Sequence, residues 1–457
     1  MKREIDFKSD PVEKLILRLA IPSFLGIVVN LLYGFIDGVF IGRGVGIDAL
    51  GGVTIIFPVT IIVVSFASLI GEGLGSVTAR KIGEGQIRHT QDVISTGHLS
   101  ATILSVIIIL LSAINLNKLI MVLGATSEIL PYAKAYYKAL MPGLPFMSLS
   151  LVYFHQLNAQ GKIALAMKAV IASTLVNILL DYLAIYIFNM GVAGAAYATV
   201  VSQVIWYGYM HYHAVKDPKI ITIQSLVDLK INFSMLREIC VHGVSSFIRQ
   251  VSVGITLVII NSVAGNYGSS AHISAFGATQ RTFRLMVAPI SAISMSLKPV
   301  VGQNFGAKNF RRIRDGVRVS LKYSVLIGVV LLGTVLLSRK YLALSFGMDV
   351  SQTEIFYKVL LLTICMFPLY GIHHIAVAYF TAIGKPRQSV RLNVLKQIVL
   401  LIPLVLILPR IFGVFGLFAA LPTADCISIA YSYFLLKREM KSIEENHRQE
   451  KPSKTYV

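Results

Sequence analysis

IGEGQIRHTQD, residues 82–92, returns in altered form as FGAKNFRRIRD, residues 305–315. Gly83, Arg88 and Asp92 meet Gly306, Arg311 and Asp315, each 223 residues further on. The same separation carries Pro145 to Pro368 and Gly161-Lys162 to Gly384-Lys385. With a shift of one residue, GVAGAA at 191–196 meets GVFGLF at 413–418. Matches at one separation in several distant places are hard to obtain by chance, so the chain reads as two copies of one unit.

Composition says what kind of unit. Charged residues make up 14% of the chain and the mean hydropathy is +0.72, where soluble proteins carry about 25% charge. Apolar segments long enough to cross a hydrocarbon core of about 30 Å recur along the whole length. Twelve spans are expected, near 13–42, 51–79, 93–115, 128–157, 163–187, 191–214, 238–264, 271–300, 315–337, 353–383, 391–409 and 412–436. This predicts an all-α polytopic membrane protein; a transmembrane barrel would show alternating segments of about ten residues. Six spans per copy is an even number, so both copies start on the same side and the repeat is parallel. The expected layout is two pseudo-symmetric six-helix bundles, residues 1–214 and 238–440. A basic linker, 215–237, joins them, and a basic tail, 441–457, follows. Paired bundles of this kind suit alternating access, and hence transport.

The formal charge of +20 invites a nucleic-acid reading, but its distribution argues against one. Lys and Arg gather in the segments that twelve spans place on the N-terminal side. The opposite loops hold only Arg43, Lys118, Arg339, Lys340 and Arg410. That asymmetry predicts both termini in the cytoplasm, with acidic lipid as the partner of the basic tail. Asp10, Pro11 and Glu13 make a helix-start signature before a span with no cleavage site, so that span is expected to be retained. Cys240, Cys365 and Cys426 have no paired spacing and are expected to be small core residues.

Acids at membrane depth are expensive and are functional candidates by default. Asp37 and Asp181 both fall near the same ends of outward-running spans, at similar depth. Asn30, Tyr33 and Asp37 recur at i, i+3, i+7 and share one helix face, as do Asn177 and Asp181 at i, i+4. The two stripes suggest a hydrogen-bonded cavity in the first bundle, or more blandly a helix-to-helix polar clasp. Glu72 lies in GEGLGS, whose spacing suits close helix packing better than nucleotide binding. In the second copy Arg249, Arg281 and Arg284 lie at mid-depth with Asp425 as the acid. A structural salt bridge between Asp425 and one of them is the expectation, with a substrate site as the alternative. HExxH, GxSxG and Walker patterns are missing, which argues against an enzyme or an ATP-driven pump.

AIPSFLGIVVNLLYGFIDGVFIGRGVG in the first span and KPVVGQNFGAKNFRRIR at 298–314 resemble the opening helix and a characteristic loop of the multidrug and toxic compound extrusion (MATE) family. The resemblance covers essentially the whole chain and is greatest to the bacterial multidrug-export branch. It implies an antiporter that exports amphiphilic, often cationic, compounds in exchange for protons or Na+, with no other cofactor. Asn30, Tyr33, Asp37, Asn177, Asp181 and Thr199 would form the coupling site and cavity. Na+, if used, would sit at Asp37, Asn177, Asp181 and Thr199. The seventh span offers Arg249 where another branch carries an acid for sodium, which removes a second-lobe sodium site from expectation. The implied partners are amphiphilic small molecules and membrane lipids, with no nucleic acid and a monomeric chain. A lipid-linked oligosaccharide flippase, whose pyrophosphate the arginines would suit, is the alternative within transport; a membrane-embedded enzyme lacks any matching motif.

Overall fold

Backbone polar groups in hydrocarbon must be satisfied within the segment that carries them, so an apolar chain of this kind folds as helices. The computed structural model describes residues 6–7, 9–123, 129–223, 231–267, 270–346 and 350–450, and no strand occurs among them. The helices are α1 (Val12–Gly44), α2 (Ile47–Gly83), α3 (Ile87–Ile114), α4 (Leu116–Val122) and α5 (Leu130–Leu140). They continue as α6 (Leu144–Ala159), α7 (Ile163–Tyr182), α8 (Gly191–Lys216), α9 (Phe233–Tyr267) and α10 (Ser270–Gly306). The chain finishes with α11 (Phe310–Ser345), α12 (Val350–Ile364), α13 (Phe367–Ala382), α14 (Pro386–Val394) and α15 (Ile402–Glu450).

Eight helical stretches among the described residues are long and apolar enough to cross a membrane. The last of them, Pro386–Ser442, has 57 residues, enough for two crossings. It bends at Gly413, whose backbone (φ 61°, ψ −153°) is not helical. The expected fourth span is instead broken into α5 and α6 by a tight turn at Met141-Pro142-Gly143, because proline removes a helical donor and crowds the preceding turn. The architecture is that of an all-α, multi-pass membrane protein.

Two compact units divide the chain: Ile21–Phe247, and the described parts of Met1–Ala20 with Ile248–Val457. The divisions fall within α1 and α9. The N-terminal segment joins the later unit because Asn304 Nδ2 and Arg312 Nε both donate to the carbonyl of Phe7, at 3.1 and 3.0 Å. In the first unit α2 packs on α3, α5 and α6, and α7 on α8; in the second, α10 packs on α11, α12 and α13.

The duplication is visible in the backbone. Helix α6 starts on Leu144-Pro145 and α13 on Phe367-Pro368, 223 residues later. Both end in the same cap: Gly161 and Gly384 have φ 76° and 75°. The N–H of each donates to the carbonyl three residues back, Asn158 and Thr381. Gly85 (φ 79°) and Lys308 (φ 56°) close α2 and α10 in the same way, and Gly191 and Gly413 share φ 61°. Gly83 and Gly306 are the last residues of equivalent helices. Even an ion pair repeats. Lys162, before α7, meets Asp217 at 2.9 Å, and Lys385, before α14, meets Glu439 on α15.

GEGLGS serves helix packing. A Cβ on Gly75 would lie 3.1 Å from the carbonyl of His155 in α6, and one on Gly73 would lie 2.0 Å from that of Ile239 in α9. The reciprocal contact is tighter, since a Cβ on Gly243 would lie 1.7 Å from the carbonyl oxygen of Leu69. Backbone cannot yield as a side chain can, so Gly243→Ala should push the helices apart and destabilise by about 3 kcal/mol or more. Gly208→Ala, with nothing within 4 Å of its Cβ, should leave stability equal or raise it by up to about 1 kcal/mol. Thermal unfolding of the two purified variants checks this; equal melting temperatures would contradict the close approach.

Candidate functional site

A cavity of about 430 Å³ lies within the Ile21–Phe247 unit, walled by α1, α2, α5, α6, α7 and α8. Its polar wall starts on α1, where the predicted stripe Asn30, Tyr33 and Asp37 lines the space. Asp181 on α7 lies behind that wall and is wholly buried. The carboxyl groups of Asp37 and Asp181 face each other at hydrogen-bonding distance. One oxygen of each, Oδ1, has no hydrogen-bond partner among the described residues.

Around this pair the remaining groups form a chain. With its amide nitrogen turned to the carboxylate, Asn177 donates to Asp181 Oδ2 at 3.0 Å, and its oxygen accepts from the Thr199 N–H at 3.2 Å. The Tyr33 hydroxyl lies beside the Thr199 side chain. Far apart in sequence, α1 and α8 are thereby tied to the same acid pair through α7. Immediately after Asp181 the helix widens into a π-helical turn, Leu183–Ile187, a local feature frequent at functional sites. Five of the six predicted residues form one connected group, and Asn30 lines the cavity beside them.

Sequence reasoning missed Tyr136, Gln203 and Trp206, which complete the wall. Tyr136 faces the acid pair, whereas its neighbour Tyr137 turns to Ser112 Oγ on the opposite side at 2.5 Å. Only packing decides which of two adjacent tyrosines meets a cavity. Trp206, the sole tryptophan, carries an Nε1 without a partner, and Gln203 an Oε1. Such a wall, apolar with a few unsatisfied polar atoms, suits an amphiphilic molecule.

The second unit corrects one expectation. Asp425 does pair with a cation, but that cation is Lys396, at 2.7 Å. Arg281 and Arg284 are exposed, and Arg249 is half-buried beside Tyr370 and His374. Lys396 opens the π-helical stretch Leu395–Leu401 and sits with its ammonium 4.1 Å from the centre of the Tyr370 ring. His373 Nδ1 lies 3.0 Å from Ser432 Oγ nearby. Sequence reasoning missed Lys396, five residues into an expected span; its side chain turns inward to Asp425. Cys426 is likewise exposed and is no core residue.

A duplicated multi-pass helical protein whose buried acid pair borders a cavity is, as a class, a membrane transporter. The chain belongs to the MatE family: that family's model matches it twice, at residues 22–183 and 246–407, in step with the duplication. It is 25% identical to the multidrug export protein MepA of Staphylococcus aureus strain NCTC 8325, over 96% of this chain and 97% of that protein. The MepA of Staphylococcus saprophyticus is 25% identical over 92% of each. Among solved structures, an outward-facing multidrug resistance MATE family transporter of the MOP superfamily aligns with a TM-score of 0.89. That likeness is at 23% identity, covering 96% of this chain and 98% of the other. A MOP superfamily transporter from Pyrococcus furiosus aligns at 0.88 and 24% identity with the same coverage. Its family is one of transporters, and the chain is not an enzyme.

Proposed function

We propose that this protein is a multidrug efflux antiporter, exporting amphiphilic and often cationic organic compounds in exchange for protons. The observation that supports this reading is the Asp37–Asp181 carboxyl pair at the wall of the cavity. Two carboxylates in contact, one of them wholly buried, do not both stay ionised, so the pair takes up and releases a proton as a unit. Ionised, it favours a cation in the adjoining space. Protonated, it loses that attraction and weakens its hold on the Asn177–Thr199–Tyr33 chain, which favours release on the outer side. Both termini lie in the cytoplasm on this reading, which the distribution of Lys and Arg supports.

Sodium would need a shell of oxygen ligands from the same group. Asn177 disfavours that, because its oxygen is engaged by a backbone N–H and it offers a donor to Asp181. The proton is therefore the preferred coupling ion. Export itself is tested in a bacterial host stripped of its own pumps. Cells expressing the protein should accumulate less of a fluorescent cationic amphiphile than cells carrying an empty vector. Equal accumulation across a panel of such dyes would overturn the reading.

A further inference from the structure

A second cavity, of about 370 Å³, opens in the later unit between the first turns of α11 and the far part of α15. Four cations line it, Arg314 and Arg318 from α11 and Lys437 and Lys441 from α15, and among the described residues no acid does. Spacing explains the convergence. Arg314 and Arg318 are i, i+4 on one face, and Lys437 and Lys441 repeat that spacing on the helix packed against it.

We propose that this cavity holds the phosphate of an anionic phospholipid. Arg and Lys are the side chains that bind phosphate, and Arg318 and Lys437, both exposed, line this space from opposite helices. The walls point to a lipid and not a free ion. Leu436 and Met440 form apolar sides to the same cavity. Along the helices leading away from it, Val329 on α11 and Cys426, Ala430 and Tyr433 on α15 are exposed apolar or weakly polar groups. A headgroup among the cations would thus leave its acyl chains on a surface that already faces hydrocarbon. Tyr433, which itself lines the cavity and is 50% exposed, occupies the headgroup level where aromatic rings with a polar tip settle.

The test uses the full-length protein, delipidated in a nonionic detergent and titrated with dioleoylphosphatidylglycerol, dioleoylphosphatidylcholine or glycerol 3-phosphate, with bound lipid read by native mass spectrometry. Phosphatidylglycerol should bind saturably, phosphatidylcholine weakly, and glycerol 3-phosphate should not displace the lipid. Arg318→Gln/Lys437→Gln alters two exposed side chains and should weaken phosphatidylglycerol binding roughly thirtyfold. The charge-keeping Arg318→Lys/Lys437→Arg should bind within a few-fold of the unaltered protein, which separates lost charge from lost fold. Arg88→Gln/Lys168→Gln removes two exposed cations of the other unit and should leave binding unchanged. Equal weakening by both neutral pairs would mean diffuse attraction and overturn the site. So would phosphatidylcholine binding as tightly as phosphatidylglycerol. Glycerol 3-phosphate binding as tightly as the lipid would transfer the site to a soluble phosphate and overturn the lipid assignment.

Discussion

Asp37→Asn should bring proton-driven drug efflux in reconstituted vesicles down to the level of protein-free vesicles, while a bound substrate is retained within a few-fold of its original affinity. The substitution keeps the size and polarity of the side chain and its place in the cavity wall. It removes the second carboxyl on which the proposed proton exchange depends. The amide that replaces it can still hydrogen-bond to Asp181, which is why binding and coupling should separate. Two gradients complete the experiment. A pH difference without sodium should drive export by the unaltered protein, and a sodium difference at equal pH should not. Full efflux by the Asp37→Asn protein would remove Asp37 from the coupling site, and transport on a sodium gradient alone would replace the proton.

What could be read beforehand follows from which forces act locally. Lipid demands long apolar helices, so the spans and their duplication are written in hydropathy and in glycine and proline positions. Gly161 and Gly384 keep the same left-handed cap because a Cβ there would be strained in either copy. The acid pair was equally legible, since helical periodicity places Asn30, Tyr33 and Asp37 on one face and burial makes any such acid conspicuous. Other features depend on contacts far apart in sequence. The described residues before Ile21 belong with the later unit, where Asn304 and Arg312 donate to the Phe7 carbonyl, and no periodicity announces those bonds. Tyr136 differs from Tyr137 only in the direction the fold gives it. Lys396 went unnoticed for a related reason: length and flexibility let a lysine reach water from well inside a helix, so its sequence position does not reveal whether it turns inward.

The inward turn of Lys396 sets up the second large effect. Lys396 and Asp425 are both buried, with side-chain exposures of 7% and 11%. Each charge is tolerated because the other is 2.7 Å away. Removing one partner strands the other, at a cost of about 3–5 kcal/mol. Asp425→Asn and Lys396→Met should therefore each lower the melting temperature of the detergent-purified protein substantially. The double variant Lys396→Met/Asp425→Leu should recover to within about 1 kcal/mol of the original, because it strands no charge and dehydrates none. Methionine also preserves contact with the Tyr370 ring through its sulfur. A double variant as unstable as the singles would mean that the ion pair is not the coupling between these positions. Efflux then decides what the pair is for. If it only clasps α15 to the helix segment before it, the recovered double variant exports drug at the original rate. A protein that regains its stability and stays inactive would make Lys396 and Asp425 part of the transport cycle, beside the acid pair of the first unit.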